Sequence, residues 1–136
     1  MRSTTDTVTR FIDEVLAEGR HASADELVTA DFVWHPLPGQ GPTVMKQAID
    51  RVSGALSDVS FEVQDVIAQD DRVAVRLVAS GTQTGPFMGM PATGKRYAIE
   101  EIHIFRLEGD RIAEHWHQFD SAGMMQQLGI VPGGAA

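Results

Sequence analysis

From Val59 to Asp120 the chain reads as four runs in which apolar and polar residues alternate, each run cut off by turn residues. "VSFEVQDVIAQ" sets Val59, Phe61, Val63 and Asp65 against Ser60, Glu62, Gln64 and Val66. "RVAVRLVASGTQT" follows across Asp70 and Asp71. "KRYAIEEIHIFRLE" comes after the Gly- and Pro-rich connection "GPFMGMPATG", and "RIAEHWHQFD" comes across Gly109 and Asp110. Alternation with period two marks a strand with one buried face. The short turns predict antiparallel hairpins. A chain patterned this way over nearly half its length must form a sheet and cover one face of it.

The cover is encoded earlier in the sequence. Residues 3–18 place Val8, Phe11, Ile12, Val15 and Leu16 at helical spacing, with Ser3 or Thr4 to cap the start and Gly19 to stop the run. "SADELVTADFV" is expected to form a short second helix, capped by Ser23, with Leu27 and Val28 inward. "WHPLPGQGP" reads as a loop. Pro42 suits the first position of a third helix reaching about Leu56, whose apolar stripe is Val44, Met45, Ala48, Ile49 and Val52. "SAGMMQQLG" predicts a short terminal helix and "VPGGAA" a tail. Helices followed by hairpin-linked strands predict an α+β fold, helices on one face of the sheet. The 136 residues suit a single domain, 1–136.

Charge and composition exclude several functions. The net charge of -8 argues against nucleic acid, which needs a basic surface, and against an anionic membrane surface. No cysteine is present, so disulfides, thiolate nucleophiles and Cys-ligated zinc are excluded. No apolar run approaches the roughly 20 residues of a membrane span, and the first residues lack the apolar core of a signal peptide. A soluble, cytoplasmic protein is expected.

Strand periodicity groups the polar candidates. Glu101, His103 and Phe105 share one face, and His115, His117 and Phe119 share a face of the next strand, opposite Glu114, Trp116, Gln118 and Asp120. Three imidazoles, His103, His115 and His117, would suit a catalytic zinc. Two histidines two apart on a strand are a weak signal, however, and no further ligand joins them at a convincing spacing, so no metal is assigned. His115 also fits a deeply packed imidazole bonded to a backbone carbonyl. Phe87, Met88 and Met90 in the long connection, with Met124, Met125 and Leu128 near the end, could line an apolar mouth or simply pack. His21, at a helix end, reads as structural.

The stretches "GTQTGPFMGMPATGKRY", "EEIHIFRLEGDRIAEHW" and "GMMQQLG", with "DFVWHPLP" before them, resemble the SnoaL-like polyketide cyclase group of the nuclear-transport-factor-2-like superfamily. The resemblance covers nearly the whole chain. It implies a cone-shaped α+β fold, with a curved antiparallel sheet packed on N-terminal helices around one largely apolar pocket. It also implies ring closure by an intramolecular aldol reaction, using an acid/base carboxylate and no metal or organic cofactor. Isomerases, epoxide hydrolases and binding proteins without chemistry share the fold, so an isomerase or epoxide hydrolase, or a non-catalytic binding or dimerisation module, stands as the alternative.

Members of the group often keep an acid/base Asp directly after the His-Trp pair. Here that place is His117. A pocket histidine on the preceding strand matches His103, and the segment around His35 often presents a polar side chain to the pocket mouth. His117 is therefore the candidate base, with His103 and His35 as hydrogen-bond donors and Asp120 or Glu101 orienting an imidazole. Asp120 or Glu101 could instead supply the missing carboxylate, or the aldol chemistry could be lost. Trp34, Glu101, Phe105, His115, Phe119, Phe87, Met88 and Met124 are the candidate substrate-binding residues. The expected partners are a hydrophobic small molecule and, through an outer sheet face carrying Ser60, Glu62, Gln64, Arg76 and Arg106, a second copy of the chain.

Overall fold

In a computed structural model of the chain, the structure is described for residues 3–35, 37–87 and 89–130. The first helix, α1 (Thr4–Arg10), starts at Ser3, whose hydroxyl accepts from the Asp6 amide at 3.1 Å. It runs straight into a π-helical segment, Phe11–Ala17, where one α-helix was expected. Phe11, Ile12 and Val15 on this segment are at most 1% exposed and form its core-facing side.

The second helix, α2 (His21–Leu27), ends earlier than expected. Ser23 lies inside it and does not cap it; its hydroxyl donates to Glu14 at 2.7 Å. At Val28 the chain turns into a strand, β1 (Val28–His35), which corrects the expected helix and loop there. Val28, Thr29, Phe32, Val33 and Trp34 are residues that fit a pleated surface, and their partner lies far along the chain. Trp34 pairs with His115 and His35 with Trp116.

The remaining elements are α3 (Pro42–Ala55), β2 (Leu56–Gln69), β3 (Arg72–Gln83), β4 (Arg96–Glu108), β5 (Arg111–Phe119) and α4 (Ser121–Gln127). They form one five-stranded sheet in the order β1-β5-β4-β3-β2. The β2–β5 pairings are antiparallel, as the hairpins require, but β1 joins β5 in parallel, so the sheet is mixed. With β1 at one edge and β2 at the other, the connection carrying α3 crosses the whole sheet. It lays Val44, Met45, Ala48 and Ile49 on the inner face. Phe11, Phe32, Leu77, Phe105 and Ile112 fill the core beneath, each fully buried.

Two local features shape the inner space. The pairing of β2 with β3 shifts between Val63 and Asp65. This bulge turns Asp65 to the outer face, where the Arg76 guanidinium donates to it at 2.7 Å. The strict alternation expected through Asp65 therefore breaks there, and residues 62–69 are all exposed. At the other end of the strand, the amides of Thr84 and Gly85 both donate to the Ala55 carbonyl at 3.0 Å. A Cβ on residue 85 would collide with the Gly54 carbonyl, so only glycine allows this approach. Among the described residues no helix is long and apolar enough to cross a membrane.

Candidate active site

Between the inner sheet face, α3 and α4 lies a cavity of about 460 Å³, within the usual size of small-molecule sites. Its walls are mostly apolar: Leu16 from the π segment, Ala48 and Val52 from α3, Val59 and Phe61 from β2, and Ile99 from β4. A smaller space of about 120 Å³ adjoins it beside the π segment and shares Trp34 and Leu16. Period-two alternation brings Tyr97, Glu101 and His103 of β4 and His117 and Phe119 of β5 to the same wall. Trp34 arrives from β1, Phe87 from the long connection and Met124 from α4.

The expected residues therefore separate. Trp34, Glu101, His103, His117, Phe119, Phe87 and Met124 line the cavity. Phe105 and His115 are fully buried and lie outside its lining, so they pack behind the polar wall and do not face a ligand. His35 leaves the site altogether. It is on the outer face, stacked on Trp116 with ring centroids 5.1 Å apart and hydrogen-bonded to Glu114 at 2.9 Å. The Arg106 guanidinium donates to the same carboxylate at 2.7 Å. These bonds, His35 first and then Arg106, hold the Glu114 carboxyl below the usual range. Asp120 is spent on α4, accepting from the Gly123 amide at 2.9 Å. Met88 lies outside the described residues.

The polar wall is a hydrogen-bonded chain. Glu101 Oε1 is 2.8 Å from His103 Nε2, and His103 Nδ1 is 2.8 Å from His115 Nε2. An ionised carboxylate only accepts, so His103 Nε2 carries the proton. His103 Nδ1 is then a lone pair and accepts from His115 Nε2–H. His115 Nδ1 is left as a lone pair, and it is a buried polar side-chain atom without a partner among the described residues. That is the less costly choice, because a buried orphan N–H is rarer than an under-used acceptor. Burial, reinforced by His103 and His117, keeps His115 neutral by pushing its pKa far down. The carbonyl partner expected for His115 is thus replaced by another imidazole.

Aromatic faces fix this chain in place. His115 stacks on Phe105 at 4.4 Å and on Trp34 at 5.1 Å, and the edge of Phe11 meets it at 5.6 Å. His117 stacks against His103 at 5.0 Å and accepts from the Trp34 indole N–H at its Nδ1, 3.2 Å away. Burial, followed by the neighbouring His103, pushes His117 down to about 4. Tyr97 was not among the sequence candidates, although it sits on the alternating face of Glu101 and His103. Burial first, then the Glu101 charge, pushes its phenol up to about 12, so it stays a neutral donor. No three His or acidic side chains among the described residues converge to hold a metal ion.

The comparisons with known proteins agree with this architecture. The family model for SnoaL-like polyketide cyclase matches residues 6–128. The chain is 29% identical over 112 residues to the aklanonic acid methyl ester cyclase DauD of Streptomyces sp. (strain C5), covering 74% of this chain and 69% of that one. It is 27% identical over 117 residues to the nogalonic acid methyl ester cyclase of Streptomyces nogalater, covering 82% and 87%. Its fold matches that of TsrD from Streptomyces laurentii with a TM-score of 0.87 at 28% identity, over 96% and 98% of the two chains. With a match from the first helix to the last, the chain belongs to the SnoaL-like polyketide cyclase family.

Proposed function

We propose that the chain closes a ring in a hydrophobic, polyketide-type carbonyl compound by an intramolecular aldol reaction, with Glu101 as the acid/base. One observation supports this above the others: the only carboxylate in the cavity lining, among the described residues, is held by His103, itself held by His115. Oε1 is engaged in that chain, and among the described residues Oε2 accepts no hydrogen bond, so it is free for substrate.

The reaction balances on side chains alone. Glu101 removes a proton from a carbon flanked by carbonyls, leaving an enolate. The enolate carbon attacks a second carbonyl of the same molecule and a carbon–carbon bond forms. The new alkoxide then takes the proton back from Glu101. Product and substrate are isomers. The imidazole chain ends at a lone pair sealed in apolar packing, so it positions the carboxylate and does not conduct protons to solvent.

The test uses aklanonic acid methyl ester, the compound in the name of the DauD relative. Ring closure should proceed with the wild-type chain and fall at least about 100-fold in Glu101→Gln, the usual size of a general-base contribution. Full activity in that variant would remove Glu101 from the mechanism. Tight binding of several polyketides with no turnover of any would make the chain a binding protein. We also read the outer sheet face as a contact between two copies. Ile102 and Ile104 are 53% and 39% exposed there, beside Arg76, which bridges Asp65 and Glu100.

A further inference from the structure

We infer that Trp34 is a positioning residue that locks His117 in the tautomer with its proton on Nε2, making this imidazole a hydrogen-bond donor to substrate and not a base. The argument is one of donors and acceptors. An indole N–H can only donate. Its partner at 3.2 Å is His117 Nδ1, which must therefore present a lone pair. A neutral imidazole has one lone pair and one N–H, so the N–H is at Nε2. To act as a base at Nε2, His117 would have to move its proton to Nδ1, setting two N–H groups against each other.

Nε2 has somewhere to point. His117 lines the cavity. Its Nε2 has no partner among the described residues, yet the buried orphan atom among them is His115 Nδ1. His117 Nε2 thus keeps contact with open space, which at this position is the cavity. The donor stands beside His103, 5.0 Å between ring centroids, and so on the wall that carries Glu101. An N–H fixed there before substrate arrives is aimed at the oxygen on which enolate charge develops. The carboxylate is at position 101, and position 117 supplies the opposite kind of group.

This donor role rests on the proposed enolate chemistry, but the tautomer does not, and the two fail separately. The direct test is side-chain nitrogen NMR on the uniformly labelled full chain near neutral pH, with the His117 signals assigned by their loss in His117→Asn. The wild type should show one His117 form, protonated at Nε2. In Trp34→Phe, which keeps an aromatic ring and removes the N–H, the His117 signals should move toward an average of both tautomers. The His117 titration midpoint should also rise, because a bond to the neutral form has gone. His103 and His115 should keep their wild-type pattern. Turnover of aklanonic acid methyl ester should drop several-fold with KM nearly unchanged. A wild-type spectrum with the proton on Nδ1 overturns the inference without any variant. So does a Trp34→Phe spectrum and titration identical to wild type. If the spectra behave as expected and no ester is turned over, the tautomer lock stands and the enzymatic proposal falls.

Discussion

His103 and His115 are hydrogen-bonded at 2.8 Å although they do not face each other across the sheet. The register sets His103 opposite His117 and Phe105 opposite His115, so the bond runs diagonally between β4 and β5. Replacing His115 by Phe keeps the stack but leaves His103 Nδ1 without a donor. Stability should fall by about 1–3 kcal/mol, the cost of an unsatisfied buried polar group. Turnover should fall further than substrate affinity, because Glu101 loses its support. Urea melts and a kcat-against-KM comparison would check both, and a variant as stable and active as wild type would show the diagonal bond to be idle.

Acid should loosen the fold in a defined window. His117 is held down to about 4, and His115 well below its ordinary value, chiefly by burial. Unfolded imidazoles titrate near ~6.5. Between those values the unfolded chain takes up protons that the folded chain refuses, so acid favours unfolding. The stability at stake is complete above about 6.5 and drains away as pH falls toward the folded value. Denaturant melts across the window should show this loss, with a shallower slope in His117→Asn. An equal slope in that variant would assign the loss elsewhere.

His35 should matter little for chemistry. Its side chain is 43% exposed on the outer face and paired with Glu114. His35→Ala should leave kcat/KM within about twofold of wild type and cost under about 1 kcal/mol of stability, as for other exposed surface pairs. A collapse of activity in His35→Ala would mean the outer face reports to the cavity.

Gly85 should resist substitution. Its Cβ position is occupied by the Gly54 carbonyl, so Gly85→Ala must push the long connection off the end of α3. A loss of about 1–3 kcal/mol is expected, as for other overpacked sites. The same change at Gly54, where a Cβ meets nothing within 4 Å, should be tolerated. Paired thermal melts of the two variants would decide the matter.

The outer sheet face gives a fifth test. If two copies meet there, Ile102→Glu should convert a dimer into a monomer in sedimentation experiments while leaving the inner wall and its chemistry untouched. A wild-type chain that sediments as a monomer at high concentration would dispose of the contact.

Strand alternation alone located most of the polar wall. Glu101 and His103 on β4 and His117 and Phe119 on β5 fall where period two places them, because a hairpin pairs neighbours in sequence. β1 was not legible in the same way. "VTADFVWH" follows a helix without a break and pairs in parallel with a strand some 80 residues later, and no local signal encodes that partner. Losing β1 hid the Trp34–His117 bond, and with it the reason why His117 donates. The same gap sent His35 to the pocket mouth, when strand alternation from Trp34 turns it to the opposite side. Asp120 was equally ambiguous by sequence, since an acid at a strand end also serves as a helix cap.

The crossing of α3 from one sheet edge to the other divides labour within the cavity. Glu101, His103 and His117 on the proposed reacting wall come from strands, while α3 contributes Ala48, Val52 and the cation Arg51 as the facing surface. Bulk added at Ala48 or removed at Val52 would resize the chamber and leave the donors and the carboxylate in register. Capacity and reactivity can therefore drift independently in such a scaffold, and one helix can be exchanged to admit a different carbon skeleton to the same proton chemistry.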